Sequence, residues 1–248
     1  MSDKKKSYDC VISSIEEIAK DIFDVRINCP EIAKEAQPGQ FLHIKCNDAL
    51  TPLLRRPISI CDVEGDNVRF VFERKGEGTA LLAEKKAGQT INVLGPLGQG
   101  FEVRKGKCVL IGGGVGIFPL LMLAKKLPQR PTIILGFRSE DRIVLKDDFA
   151  AVGDVYIATD DGSAGYHGTV MGVPAINGGD MYYSCGPTPM LKAVKYYAED
   201  IEKPAQISME QRMGCGIGAC LVCTCKVDGH NEKVCQKGPV FWSGEVEF

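Results

Sequence analysis

"CVLIGGGVGIFPLLMLAKKL", residues 108–127, is the stretch on which the architecture turns. Four apolar residues run into Gly112, Gly113, Gly114 and Gly116, and an apolar helical stretch follows until Pro128. A buried strand that turns through glycines into a helix is the opening unit of a parallel sheet. Glycines at such a junction let the backbone approach a phosphate closely, and the helix dipole favours the anion. The spacing is not the strict G-x-G-x-x-G fingerprint, and glycine turns of this kind also serve packing alone. Its place in the strand–helix order favours phosphate, with Gly112, Gly114 and Gly116 as the binding positions.

Downstream, "TIILGF" and "VYIATDDG" read as further strands, and "MYYSCGP" as another that leads into the helix "TPMLKAVKYYAED". Residues 103–204 are therefore expected to form an α/β domain with a parallel sheet. Ligands of such sheets bind beyond the carboxyl ends of the strands. That rule puts Cys185, Gly186 and Pro187 of "SCGPTPML" beside a nicotinamide, although a buried structural thiol is the plainer reading of Cys185. "TDDGSAGYHG", residues 159–168, is expected as a mobile loop on the same edge. "GFRSED" supplies Arg138 and Ser139 ahead of Glu140 and Asp141. Arginine suits a 2′-phosphate and the acids oppose one, so residue chemistry leaves NADH and NADPH both open.

Upstream, residues 1–102 alternate short apolar runs ("FLHIK", "VRFVFE", "TINVLG") with turn signals ("QPGQ", "EGDN", "KAGQ"). That texture predicts an antiparallel barrel or sandwich, interrupted by one helix in "GTALLAEKK". In "RRPISI", Arg56 and Ser59 are spaced to engage a phosphate and a flavin edge, with Pro57 fixing the chain between them. Gly78 and Thr79 open the helix, whose free N–H groups suit a pyrophosphate. Taken singly, an Arg-Pro pair is ordinarily just a turn.

The last region, residues 205–248, is too short for a core of its own and holds Cys215, Cys220, Cys223, Cys225 and Cys235. C-x4-C-x2-C with one more cysteine downstream is the plant-type spacing of a 2Fe–2S cluster. Gly214, Gly216 and Gly218 allow the tight wrapping such a loop needs and leave amide N–H groups bare to face sulfide. Structural zinc prefers two C-x2-C pairs or a C-x2-C with paired histidines, whereas this tail has one pair and the single His230. Cys225 is the spare thiol. Eleven cysteines in all, an odd number, speak against a disulfide framework. Apolar residues at 44%, charged residues at 25% and a net charge of −2 describe an ordinary globular chain with no call for nucleic acid or an anionic membrane. "MSDKKKSYDC" has lysines without an apolar run, so no signal peptide is expected, and no segment reaches the roughly 20 apolar residues of a bilayer span. The expected compartment is the cytoplasm, where thiols stay reduced.

Taken in order, "RPIS", "GEGTALL", "GGGVGIFPLL", "DDGSAGYHG", "CGPTPML" and the cysteine tail resemble the ferredoxin reductase-like electron-transfer subunits of type B dihydroorotate dehydrogenase. Ferredoxin–NADP reductases resemble the first two regions but lack the tail. The resemblance implies a β barrel plus α/β architecture: an antiparallel flavin-binding barrel, a parallel-sheet nucleotide-binding domain of ferredoxin reductase type, and a small C-terminal iron–sulfur domain. It implies FAD contacts at Arg56, Pro57, Ile58 and Ser59, at Val71, Phe72 and Glu73, and at Gly78 and Thr79. The implied cluster ligands are Cys215, Cys220, Cys223 and Cys235, and the implied nucleotide is NAD(H). It further implies a role in pyrimidine biosynthesis beside an FMN-containing catalytic subunit, as a heterotetramer with two copies of each. No residue reads as a general base for dihydroorotate, which agrees with a substrate site on that partner. Related subunits of sulfide dehydrogenases, bifurcating transhydrogenases and hydrogenases have the same layout, but often carry aspartate where this chain has Cys215.

Overall fold

Apolar side chains at every second position of the first hundred residues close on themselves as a barrel. The computed structural model describes residues 6–248, so the lysine-bearing start at 1–5 lies outside the described residues. Strands β1 (Ser7–Ala19), β2 (Ile22–Asn28), β3 (Phe41–Ile44), β4 (Arg56–Glu64), β5 (Asn67–Glu73) and β6 (Thr90–Leu97) form a closed barrel in the order β1-β2-β5-β4-β3-β6. Every pairing in it is antiparallel. Ile27, Leu42, Ile44, Ile60, Val68 and Phe70 fill its interior. A short helix, α1 (Pro30–Glu35), plugs one end with Ile32. The helix expected in "GTALLAEKK" is α2 (Glu77–Ala83), which begins one residue before Gly78.

The strand–helix alternation becomes a seven-stranded sheet. Strands β7 (Cys108–Gly113), β8 (Thr132–Phe137), β9 (Asp154–Thr159), β10 (Tyr166–His167), β11 (Met181–Cys185), β12 (Ala205–Ser208) and β15 (Val240–Trp242) lie in the order β10-β9-β8-β7-β11-β12-β15. All pairings are parallel except β12 with β15. Helices α3 (Phe118–Lys126), α4 (Lys146–Val152) and α5 (Thr188–Asp200) cover the sheet. The chain leaves β7 for β8 on one side and later returns to β11 on the other. A crevice therefore opens beyond the carboxyl ends of β7 and β11, the switch point where open sheets bind ligands.

Beyond β12 the chain makes a loop and a small sheet of β13 (Thr224–Val227), β14 (His230–Lys233) and β16 (Val246–Glu247), with α6 (Val234–Lys237) beside it. Its core is borrowed: Cys223, Val227, Val234, Cys235 and Val246 pack on Phe41 and Leu97 of the barrel and on Leu191 of α5. Because β12 and β15 belong to the large sheet, this segment is stitched into its neighbour at two points. Phe41 and Phe241 meet in that core, and Trp242 carries Arg104 over its ring at 5.5 Å.

Ion pairs bolt barrel to sheet. Arg69 of β5 is buried between Asp24 of β2, at 2.7 Å, and Asp148 of α4, at 2.5 Å. Burial works against its charge, but the two carboxylates outweigh it and hold the guanidinium protonated. Lys125 of α3 engages Asp62 and Glu64 of β4. Arg142 donates to the Glu73 carboxylate at 2.6 Å and to the Lys20 carbonyl at 2.8 Å. The cleft between the two halves thus has fixed walls.

Candidate functional site

The barrel wall opens where the sequence places the flavin. The β4–β5 ladder ends at Ile60 opposite Phe70, so Arg56–Ser59 and Val71–Glu73 diverge without pairing to each other. Each segment is held from behind, Arg56–Ser59 by β3 and Val71–Glu73 by β2. Main-chain donors and acceptors on the facing edges are left for a ligand. The side chains of Val71 and Phe72 are buried in the cores, so only their backbone serves this gap. Glu73 turns its carboxylate to Arg142 and Lys75 instead.

Arg56 reaches the amino end of α2. A methyl group built on Gly78 would stand 2.5 Å from Arg56 Nε, so the bare Cα makes room for the guanidinium. Thr79 faces inward to its own helix: its hydroxyl accepts the Lys75 and Gly76 N–H groups at 2.9 and 3.1 Å. It shapes the turn into α2, where the Arg56 guanidinium stands beside the Gly78 main chain.

Between barrel and sheet lies a cavity of about 950 Å³. Gly113, Gly114, Gly116, Gly186 and Pro187 form its floor, Arg138 and Ser139 one flank, and Lys20, Glu73 and Lys75 of the barrel its roof. Gly114 has φ +54, a conformation that favours glycine, and open space where a Cβ would stand on the cavity wall. Gly112 is different. It lies outside the cavity wall, and a methyl on it would meet Ile117 at 2.9 Å, so this glycine serves strand–helix packing. Gly116 packs against Gly186, where a Cβ would be 2.5 Å from the neighbouring Cα, and so holds the two lips of the crevice together. Cys185 sits behind the wall; burial pushes its thiol up to about 12, against a hydrogen bond with Ser208. The loop after β9 is organised by Asp161, which accepts from the Ser163 hydroxyl at 2.6 Å, and by Thr159, which donates to the Ala164 carbonyl at 2.8 Å. Glu210, Lys75 and Arg142 also line the cavity. No sequence motif marked them, since each gains its place only when distant segments meet.

Four of the five thiols of the tail come as two pairs. Cys215 Sγ and Cys220 Sγ are 3.4 Å apart. The Cys235 N–H points at Cys223 Sγ at 3.5 Å, which joins the second pair. Main-chain donors surround the sulfurs: Ile217 and Cys220 N–H point at Cys215 Sγ at 3.5 and 3.4 Å, and Gly218 N–H at Cys235 Sγ at 3.1 Å. Gly216 at φ +70 and Gly218 at φ +83 make these turns. Burial raises the Cys215 thiol, but the N–H groups of Ile217 and Cys220 outweigh it and bring it down to about 6. Burial, followed by Cys223, pushes Cys235 up to about 12. Two sulfur pairs under a canopy of N–H donors suit a binuclear cluster with two thiolates per iron. His230 is exposed at the turn of the β13–β14 hairpin, at the opposite end from Cys223, where it does not complete a zinc set. Cys225 is half-buried on β13, its thiol raised first by burial and then by Cys223.

One further group lies between β4 and this loop. His43 of β3 is fully buried, with both ring nitrogens unpartnered. Burial and then the Arg55 guanidinium push it down to about 4.

A family model described as the iron–sulfur cluster binding domain of dihydroorotate dehydrogenase B matches residues 210–247. The dihydroorotate dehydrogenase B (NAD(+)) electron transfer subunit of Bacillus pumilus (strain SAFR-032) is 45% identical over 98% of this chain and 98% of its own. The chain belongs to the dihydroorotate dehydrogenase B electron-transfer subunit family. The subunit of the same name from Geobacillus thermodenitrificans (strain NG80-2) is 42% identical over 92% of this chain and 94% of its own. A solved NADH-dependent reduced ferredoxin-NADP oxidoreductase, described in connection with flavin-based electron bifurcation, superposes with a TM-score of 0.88. It is 32% identical and covers 96% of this chain and 89% of its own. Membership in the dihydroorotate dehydrogenase B electron-transfer family agrees with the barrel, the parallel sheet and the cysteine loop as they stand. Among the described residues no helix is long and apolar enough to cross a membrane.

Proposed function

We propose that this chain passes electrons between NAD(H) and a partner subunit, by way of FAD at the β4–β5 opening and a 2Fe–2S cluster on Cys215, Cys220, Cys223 and Cys235. The observation that carries the reading is the two-pair arrangement of those sulfurs on a loop packed against the flavin strand's neighbour, β3. When bound, the flavin supplies the exchange between two-electron hydride and one-electron cluster chemistry.

The residues divide the work. Arg56 and the Gly78 main chain hold pyrophosphate, and the open edges of Arg56–Ser59 and Val71–Glu73 hold the flavin ring. Gly114, Gly116, Gly186 and Pro187 seat the pyridine nucleotide in the cavity floor, with Arg138 and Ser139 at its flank. The barrel roof excludes water from the contact of nicotinamide with flavin. N–H groups at Cys215 and Cys235 favour the charged cluster. NAD(H) is the nucleotide we assign, as in the names of the relatives.

The partner is an FMN-containing dihydroorotate dehydrogenase catalytic subunit, in a complex with two copies of each, serving pyrimidine biosynthesis in the cytoplasm. Ile217, Leu221 and Val222 expose apolar side chains on the cluster loop, Leu221 at 74%, a composition suited to a docking face. Free thiols at all eleven cysteines suit a reducing compartment. A role beside a bifurcating partner is the nearest rival; the higher identity to the dihydroorotate subunits and a cysteine at 215 favour the first reading.

The test is a division of labour. The purified chain should oxidise NADH with an artificial acceptor and leave dihydroorotate untouched, and dihydroorotate turnover should require the co-purified partner. Turnover of dihydroorotate by the isolated chain would refute the assignment.

A further inference from the structure

Along β3 the side chains alternate. Leu42 and Ile44 face the barrel interior, whereas Phe41 faces the core beneath the cluster loop. His43 therefore shares the Phe41 side. A buried donor without a partner is costly, so an imidazole here needs a reason beyond packing.

That reason lies on the facing loop. A methyl group on Gly216 would stand 2.5 Å from His43 Nδ1 and 3.1 Å from Cγ, so the ring abuts the main chain directly after Cys215. The Gly216 turn, at φ +70, is the one that brings the Ile217 and Cys220 N–H groups to Cys215 Sγ. On its other side His43 pairs with Pro57 of the flavin segment, and Arg55 Nη1 donates to the His43 carbonyl at 3.2 Å. One residue thus touches both the strand assigned to flavin and the turn that carries the first cysteine.

We propose that His43 is a positioning residue of the cluster site: its Nδ1, unpartnered here and pressed against the main chain directly after Cys215, takes the Cys215 carbonyl as its acceptor in the cluster-loaded protein and pins the turn whose N–H groups point at Cys215 Sγ. The inference rests on reading this loop as the cluster site. Hydrogen bonds to cluster sulfur favour the reduced, more negative state, so a slackened turn makes reduction harder.

The test is an EPR-monitored redox titration of the cofactor-loaded protein in its native complex. At a fixed ambient potential, His43→Leu should lower the ratio of reduced to oxidised cluster about tenfold, which for a one-electron couple equals about 59 mV. His43→Asn, whose amide nitrogen occupies the place of Nδ1, should restore the native ratio. An unchanged ratio in cluster-loaded His43→Leu overturns the proposal, as does His43→Asn behaving like His43→Leu. If His43→Leu does not load, His43→Asn and His43→Gln decide. A native ratio in Asn with a lowered one in Gln, whose amide sits at the Nε2 position, supports the role, and equal behaviour of the two overturns it. Iron and sulfide absent from the native protein would instead remove the cluster reading, and the role of His43 with it.

Discussion

The guanidinium of Arg56 lies against the bare Cα of Gly78, with room for no side chain between them: a built Cβ would be 2.5 Å from Nε and 2.6 Å from Cζ. Gly78→Ala must therefore displace Arg56 from the helix entrance. FAD affinity should fall about tenfold, or about 1.4 kcal/mol, in a fluorescence titration of the flavin-free protein. Native affinity in this variant would move the pyrophosphate seat elsewhere.

The paired sulfurs predict an asymmetry among the five cysteines of the tail. Cys220→Ser removes one member of the Cys215–Cys220 pair and should abolish the cluster's visible absorbance and reduced-state EPR signal while flavin stays bound. Cys225→Ser should keep both signals, because Cys225 stands on β13 outside the two pairs. Iron and sulfide assays on the two variants check this.

Gly116 holds the lips of the crevice together by packing on Gly186 and on the Cys185 carbonyl, where a Cβ would be 2.5 and 2.6 Å away. Gly116→Ala should part them. The KM for NADH should rise about tenfold, again about 1.4 kcal/mol, with flavin content unchanged, as read by anaerobic reduction at varied NADH.

Arg69 joins barrel to sheet through Asp24 and Asp148 with its side chain only 6% exposed. Arg69→Met leaves the buried Asp24 carboxylate with only the longer, partly exposed contact to Arg26 at 3.5 Å. Stability in urea unfolding should fall by about 3–5 kcal/mol, the usual penalty for breaking a buried pair.

Much of this was legible in the chain because it is local. Period-two alternation announced the barrel strands, the glycine run after "CVLI" announced the switch point, and the cysteine spacing announced the loop. The short helices α1 and α4 were not, since six or seven residues carry too little periodicity to stand out. Gly112 looked like Gly114 in sequence. Only the third dimension separates a glycine crowded by Ile117 from one facing open space. Arg69 and Asp148 are 79 residues apart, and β15 joins the sheet antiparallel after the whole cysteine loop, pairings that no local pattern encodes. His43 read as one polar letter in "FLHIK"; its meaning depends on Gly216, far along the chain.

The most direct measurement is an anaerobic titration of the purified protein with NADH, followed by visible absorbance and EPR, with iron and sulfide determined on the same sample. Bleaching of a bound flavin together with the rise of a reduced 2Fe–2S signal, from about two irons and two sulfides per chain, is the predicted result. A protein that stays colourless after anaerobic reconstitution, or that holds zinc in place of iron, would contradict it.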